Sequence, residues 1–198
     1  RPDLAAIIYQ QLAKVDTKRR TEWLAEAAKQ THASGQPAAA AALYDELAQL
    51  EKDPIIARRY ALQALVALTQ ADQAQKALAT GRRYAERWKD DVEVLEAVAK
   101  LALANGEPEA AWRHYDRLIQ LSREEAAKKR FAKLSLLAMT AANHPREALP
   151  AIQRYMEVLP ADPQLLNMGV QLALANKDTR LAQKWDQIEA ARVLERTW

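Results

Sequence analysis

Three histidines, His32, His114 and His144, are the side chains of this sequence best suited to ligating a metal or moving a proton near neutral pH. None has another histidine four residues away, and no HExxH word occurs. The chain has no cysteine, so disulfides and thiolate sites are excluded. With no ligand spacing to build on, no metal and no cofactor is expected. Words of the GxGxxG, P-loop and GxSxG types are missing too. Carboxylates are plentiful, but spacings such as Glu96–Lys100 are those of ion pairs on a helix surface. The chain reads as non-catalytic.

The remaining chemistry is charge and aromatic surface. Basic clusters stand at Lys18-Arg19-Arg20, Arg58-Arg59, Arg82-Arg83 and Lys128-Lys129-Arg130. Solvated helix ends account for such runs. The total of 29 Lys and Arg against 26 Asp and Glu gives a net charge of +3, too even a balance for a nucleic-acid binder. Trp23, Trp88, Trp112, Trp185 and Trp198 are scattered, which favours packing over sugar stacking. No apolar run reaches the length of a membrane span and no signal peptide is present, so no membrane contact by this segment is expected.

The elements carrying these groups are helices. Alanine and leucine dominate with Glu, Lys, Arg and Gln, all strong helix formers, whereas only 4 residues are Gly and one is Phe. Strand-forming runs are missing, so the fold class is all-α. The helices repeat. The word LALAN at Leu101 returns at Leu172, 71 residues on. Laying Thr21–Pro54 over Val92–Glu125 at that offset matches Leu24 with Leu95, Ala28 with Ala99, Gly35 with Gly106, Pro37 with Pro108 and Tyr44 with Tyr115. Arg59 then falls on Arg130 and Tyr60 on Phe131. Each period divides again into helix, turn and helix. Leu95, Val98, Ala99 and Ala102 form one stripe, Asn105-Gly106-Glu107-Pro108 the turn, and Ala111, Tyr115 and Leu118 a second stripe. The unit is 34 residues, so 71 is two units plus three extra residues, Ile55–Ala57 and Ala126–Lys128.

A 34-residue helix–turn–helix unit resembles the tetratricopeptide repeat (TPR) family. Its expected small, apolar and aromatic positions are met by Leu95, Ala99, Ala111 and Tyr115, and by Leu24, Ala28, Ala40 and Tyr44. Departures mark the repeats as degenerate. The first-helix aromatic position holds Thr31, Leu68, Ala102, Met139 and Ala173, Gly81 falls near an aromatic position, and Lys177 replaces the turn glycine. The resemblance implies a right-handed α-solenoid of about eleven helices. Residues 1–198 form a single array: a second helix at 1–20, then repeats at 21–54, 58–91, 92–125, 129–162 and 163–196. Pro150, about two turns into its helix, is expected to bend that helix or delay its start. Apolar Ile7, Ile8 and Tyr9 on the first helix, where a terminal repeat carries a polar cap, lead to the expectation that the array continues N-terminally.

In TPR proteins the first helices line the concave face. The resemblance places there Glu22, Lys29 and His32; Arg59, Leu62, Val66 and Gln70; Glu93, Glu96 and Lys100; Arg130, Lys133 and Thr140; and Asn167 and Gln171. This lining is mixed in charge and does not match the Lys/Asn clamp for a C-terminal carboxylate, so a folded protein partner suits it better than a short acidic peptide. The alanine-, arginine- and tryptophan-rich, cysteine-free repeats are also similar to the periplasmic TPR region of exopolysaccharide-export outer-membrane proteins, the PelB-like proteins and cellulose exporters. That resemblance implies a periplasmic scaffold for a polysaccharide deacetylase or hydrolase, guiding polymer to an outer-membrane porin. A cytoplasmic TPR assembly module and a direct polysaccharide-binding surface are the alternatives.

Overall fold

The structure, a computed structural model, describes residues 1–159 and 162–196, with side chains for all of these except Pro145 and residues 192–196. Pro160 and Trp198 lie outside the described residues. The described residues form eleven α-helices and no strand: α1 (Pro2–Val15), α2 (Arg20–Ala33), α3 (Pro37–Leu50), α4 (Pro54–Gln70), α5 (Ala74–Arg87), α6 (Val92–Ala104), α7 (Pro108–Leu121), α8 (Glu125–Ala141), α9 (Pro145–Val158), α10 (Pro163–Ala175) and α11 (Thr179–Arg196). A short 3-10 turn, Thr17–Arg19, separates α1 from α2. The all-helical architecture expected from composition is the one observed.

Local chemistry sets the helix starts. Pro37, Pro108 and Pro145 open α3, α7 and α9, where a missing N–H costs nothing. Asp53, Asp91 and Asp162 cap α4, α6 and α10 by accepting from backbone N–H groups of the first turn. The stops are equally regular. Gly35, Asp72, Gly106, Asn143 and Lys177 all have positive φ, between 56° and 77°. At Gly35 the N–H donates to the His32 carbonyl and the next N–H, of Gln36, to Thr31. The same pair of bonds closes the turns at Asp72, Asn143 and Lys177, which is the Schellman pattern. Lys177 thus adopts the left-handed turn of the glycines it replaces, against a steric cost of about 1–2 kcal/mol.

The 71-residue offset governs boundaries as well as residues: α3 and α7, α4 and α8, α5 and α9, and α6 and α10 start and end 71 residues apart. The structure revises one detail. The three-residue extensions, Ile55–Ala57 and Ala126–Lys128, are not connectors; they are the first turns of α4 and α8, which reach 17 residues against 13 or 14 for the other first helices. Pro150 lies inside α9, whose start at Pro145 is not delayed.

The chain separates into two compact units, Arg1–Asn105 and Gly106–Trp198. In the first, fully buried Ala27, Ala28, Ala40, Ala57, Ala61 and Ala64 let helices approach closely around Tyr44, Leu47, Leu78 and Val98. In the second, Tyr115, Phe131, Leu136, Met139, Ile152 and Leu165 fill the core. Each unit is pinned by matching polar clasps. In the first, Asp45 on α3 accepts from Arg83 and from the Tyr84 hydroxyl on α5, and Arg58 on α4 pairs with the α6 cap Asp91 at 2.7 Å. In the second, Asp116 on α7 accepts from the Tyr155 hydroxyl of α9 at 2.8 Å, and Lys129 and Lys133 on α8 stand 3.9 and 3.8 Å from the α10 cap Asp162. Burial followed by the bond to the aspartate raises the Tyr84 hydroxyl far above its ordinary pKa; burial also raises Tyr155. Both act as neutral donors.

Candidate functional site

The side chains singled out for a binding face all lie on α2, α4, α6, α8 and α10, the first helix of each repeat. These helices bury alanine and leucine stripes, so their polar positions turn outward. Glu22, Lys29, Arg59, Gln70, Glu93, Lys100, Arg130, Asn167 and Gln171 are exposed, and His32, Glu96 and Lys133 are half-buried.

Their engagements differ. Lys29 pairs with Glu26 at 2.6 Å, and that hydrogen bond raises its pKa. The His32 Nε2–H donates to Gln70 across α2 and α4. Lys100 is paired with Glu96 at 2.7 Å one turn below it, and Glu93 faces Arg58 at 3.6 Å. Arg59 lies over the Tyr60 ring at 5.9 Å, and Arg130 over Phe131 at 4.4 Å. The two arginines occupy one repeat position, each in its own unit.

Four of the expected residues, Lys133, Thr140, Asn167 and Gln171, meet in one open groove of about 720 Å³ between α8 and α10. Leu137, Met168, Leu172 and Ala175 supply its apolar lining, and Gln164 completes it. Leu137 is 58% exposed there. Lys133 is the one charged group of the lining. Its ammonium stands 3.8 Å from the α10 cap Asp162, which also faces Lys129 at 3.9 Å. Sequence reasoning included Thr140 but missed Leu137, although Val66, named for the same face, is its counterpart 71 residues earlier and is 53% exposed.

The other candidate chemistries are absorbed structurally. Trp23 donates to Asp16 at 3.1 Å, stacks on Tyr9 and lies beneath Arg19. The Trp23 bond, followed by that of Arg19, lowers the Asp16 carboxyl's pKa. Trp88 is covered by Arg87 at 4.5 Å and meets Tyr84 edge-on, and Trp185 is buried. His144 donates to Glu109 at 2.8 Å, which raises its pKa, and also faces Glu147. Among the described residues, no group of three or more His, Asp or Glu side chains is arranged to hold a metal, and no helix is long and apolar enough to cross a membrane.

No family model matches the chain, and no curated protein matches it. Solved structures do. A MamA RS-1 double mutant is 16% identical with a TM-score of 0.55, covering 89% of this chain and 95% of that one. The nearly identical TPR-like repeats of a Podosopora anserina putative kinesin light chain reach a TM-score of 0.56 at 14% identity, covering 87% and 94%. BtubC from P. vanneervenii gives 0.53 at 13%, covering 100% and 90%. These similarities establish a fold of the TPR-like repeat type.

Proposed function

We propose that this chain is a non-catalytic protein-binding scaffold, acting as the periplasmic repeat segment of an outer-membrane-associated exopolysaccharide export protein. Its partner is a polysaccharide-modifying enzyme, a deacetylase or hydrolase, held near the polymer on its way to a porin. The observation that carries the scaffold reading is the recurrence of outward side chains on the first helices of each unit, together with the open α8–α10 groove of the second. Stacked repeats expose extended surfaces of this kind, and specificity then resides in the pattern along them. The export assignment is supported by the cysteine-free, alanine- and arginine-rich character of the degenerate repeats. Direct sugar stacking is disfavoured, because Trp23 and Trp88 already pack against Arg and Tyr side chains.

The test is retention of envelope proteins from an exopolysaccharide producer on the immobilised chain, identified by mass spectrometry. Retention of a deacetylase or hydrolase, reduced by Arg59→Glu with Arg130→Glu, is the expected result. Retention of cytosolic proteins alone would move the chain to the alternative, a cytoplasmic assembly module.

A further inference from the structure

We propose that Asn105 is a site of spontaneous deamidation, converted through a cyclic imide with Gly106 into an aspartate and an isoaspartate. The sequence holds four asparagines, Asn105, Asn143, Asn167 and Asn176, and glycine follows only the first. The backbone nitrogen after each of the others is engaged. His144, after Asn143, donates its backbone N–H to the Met139 carbonyl at 3.0 Å. Lys177, after Asn176, donates to Leu174 at 3.0 Å. Asn167 lies inside α10, where the next N–H belongs to the helix ladder. The Gly106 N–H makes no hydrogen bond among the described residues. A glycine also lets another group approach its backbone closely. A Cβ placed on Gly106 would meet no atom within 4 Å. The residue is exposed and lines an open groove of about 520 Å³ with Pro108, Arg113 and Ala142, so water and base reach its nitrogen.

The reaction needs only base and water. Base removes the Gly106 amide proton, and the nitrogen attacks Cγ of the Asn105 side chain. A C–N bond forms and the Cγ–Nδ2 bond breaks; the amide nitrogen takes up a proton and leaves as ammonia. The five-membered imide then adds water. Cleavage of the new bond leaves an aspartate. Cleavage of the original peptide bond leaves an isoaspartate, whose backbone runs through Cγ.

The fold delays this reaction and gives it a consequence. The Asn105 Nδ2 group donates to the Leu101 carbonyl at 2.8 Å and to the Ala74 carbonyl at 3.1 Å. Both bonds must open before the ring closes. Through them the end of α6 is tied to the start of α5. A carboxylate only accepts hydrogen bonds. After conversion two carbonyls therefore face a negative oxygen, at a helix C-terminus where negative charge is unfavourable. Conversion releases the α5–α6 tie and, with ammonia lost, does not reverse.

The test incubates the folded chain in mildly alkaline buffer, digests samples with trypsin and follows residues 101–113 by mass spectrometry. The expected result is conversion at Asn105 at least tenfold faster than at Asn143, Asn167 or Asn176, with product labelled by the isoaspartate-specific carboxyl methyltransferase. Gly106→Ala and Asn105→Gln each slow it at least tenfold, and circular dichroism confirms that both variants are folded. The chain in urea converts faster than the folded chain, because the two bonds of the Asn105 amide are already open. The converted chain melts at a lower temperature than the unconverted one, as does Asn105→Asp. Four results overturn the proposal: equal rates at Asn105 and Asn176, no isoaspartate label, conversion of Gly106→Ala at the parent's rate, or conversion in urea alone. Equal melting of converted and unconverted chains would overturn the release of the α5–α6 tie.

Discussion

Helices α4 and α8 have the same length, the same boundaries 71 residues apart, and an exposed aliphatic side chain at the same position, Val66 and Leu137. What stands beside them differs. On α6, Glu96 and Lys100 neutralise each other; on α10, Asn167 and Gln171 remain open. The difference shows that one backbone plan, stamped twice, is made into two surfaces by a few outward side chains. Changes inside the core are constrained more tightly, because every filled volume has a partner.

The largest expected effect contrasts the glycines of the two units. A Cβ at Gly169 would come within 2.7 Å of both Met156 and the ring of buried Trp185. The ring cannot yield as the methionine end can, so Gly169→Ala should destabilise by about 1–3 kcal/mol. At Gly81 the nearest atom is a Val98 methyl at 3.1 Å. There the gain of roughly 1 kcal/mol in helix propensity offsets the crowding, and Gly81→Ala should be near neutral. Urea denaturation of both variants checks the contrast. Their counterparts carry the exchanged sizes, Ile152 for Gly81 and Val98 for Gly169, so the pairing of large with small has been inverted between units.

The clasps come next. Asp45→Ala leaves the Tyr84 hydroxyl without its acceptor, because the position matching Ser135 is Ala64. Asp116→Ala leaves Tyr155 bonded to Ser135 at 2.9 Å. An orphaned buried hydroxyl costs about 1–3 kcal/mol, so thermal unfolding should show the larger loss for Asp45→Ala, and Ala64→Ser should recover part of it.

Third, Lys177→Gly should stabilise by about 1 kcal/mol, since it removes left-handed strain at a residue whose counterparts are Gly106 and Gly35. Gly106→Lys should cost a similar amount. Equal denaturation midpoints for these variants and the parent would contradict the turn argument.

The smallest effect concerns pH. The hydrogen bond that His144 donates to Glu109 raises the pKa of His144. Its stabilising contribution is therefore full below the unfolded-state value near 6.5, and it is lost as pH rises through the folded value. Melting curves of the parent and His144→Ala should differ at pH 5.5 and coincide at pH 9.

The repeat period, the turn positions and the helical class were legible because Gly, Pro and the apolar stripes act within a few residues. Gly35 and Gly106 announced turns that Asp72, Asn143 and Lys177 also make. Those three were less visible, because hydrogen bonds from the surrounding helix ends impose the conformation. The extensions at Ile55–Ala57 and Ala126–Lys128 read as interruptions because the 34-residue unit was the ruler, whereas Asp53 caps a helix already begun before them. The outward positions on the first helices came from the TPR resemblance, but the groove was not legible. That Lys133, Thr140, Asn167 and Gln171 share a cavity depends on packing between α8 and α10, whereas the Glu96–Lys100 pair was legible from its spacing of four residues.

The most direct test transplants the second unit's chemistry into the first. Glu96→Asn, Ala97→Met and Lys100→Gln place the α10 side chains on α6, beside Val66. The variant should retain more of the envelope partner per chain than the parent does, and the gain should vanish with Val66→Glu. A variant that folds as the parent does and retains no more partner than the parent would contradict the claim that these side chains distinguish the two surfaces.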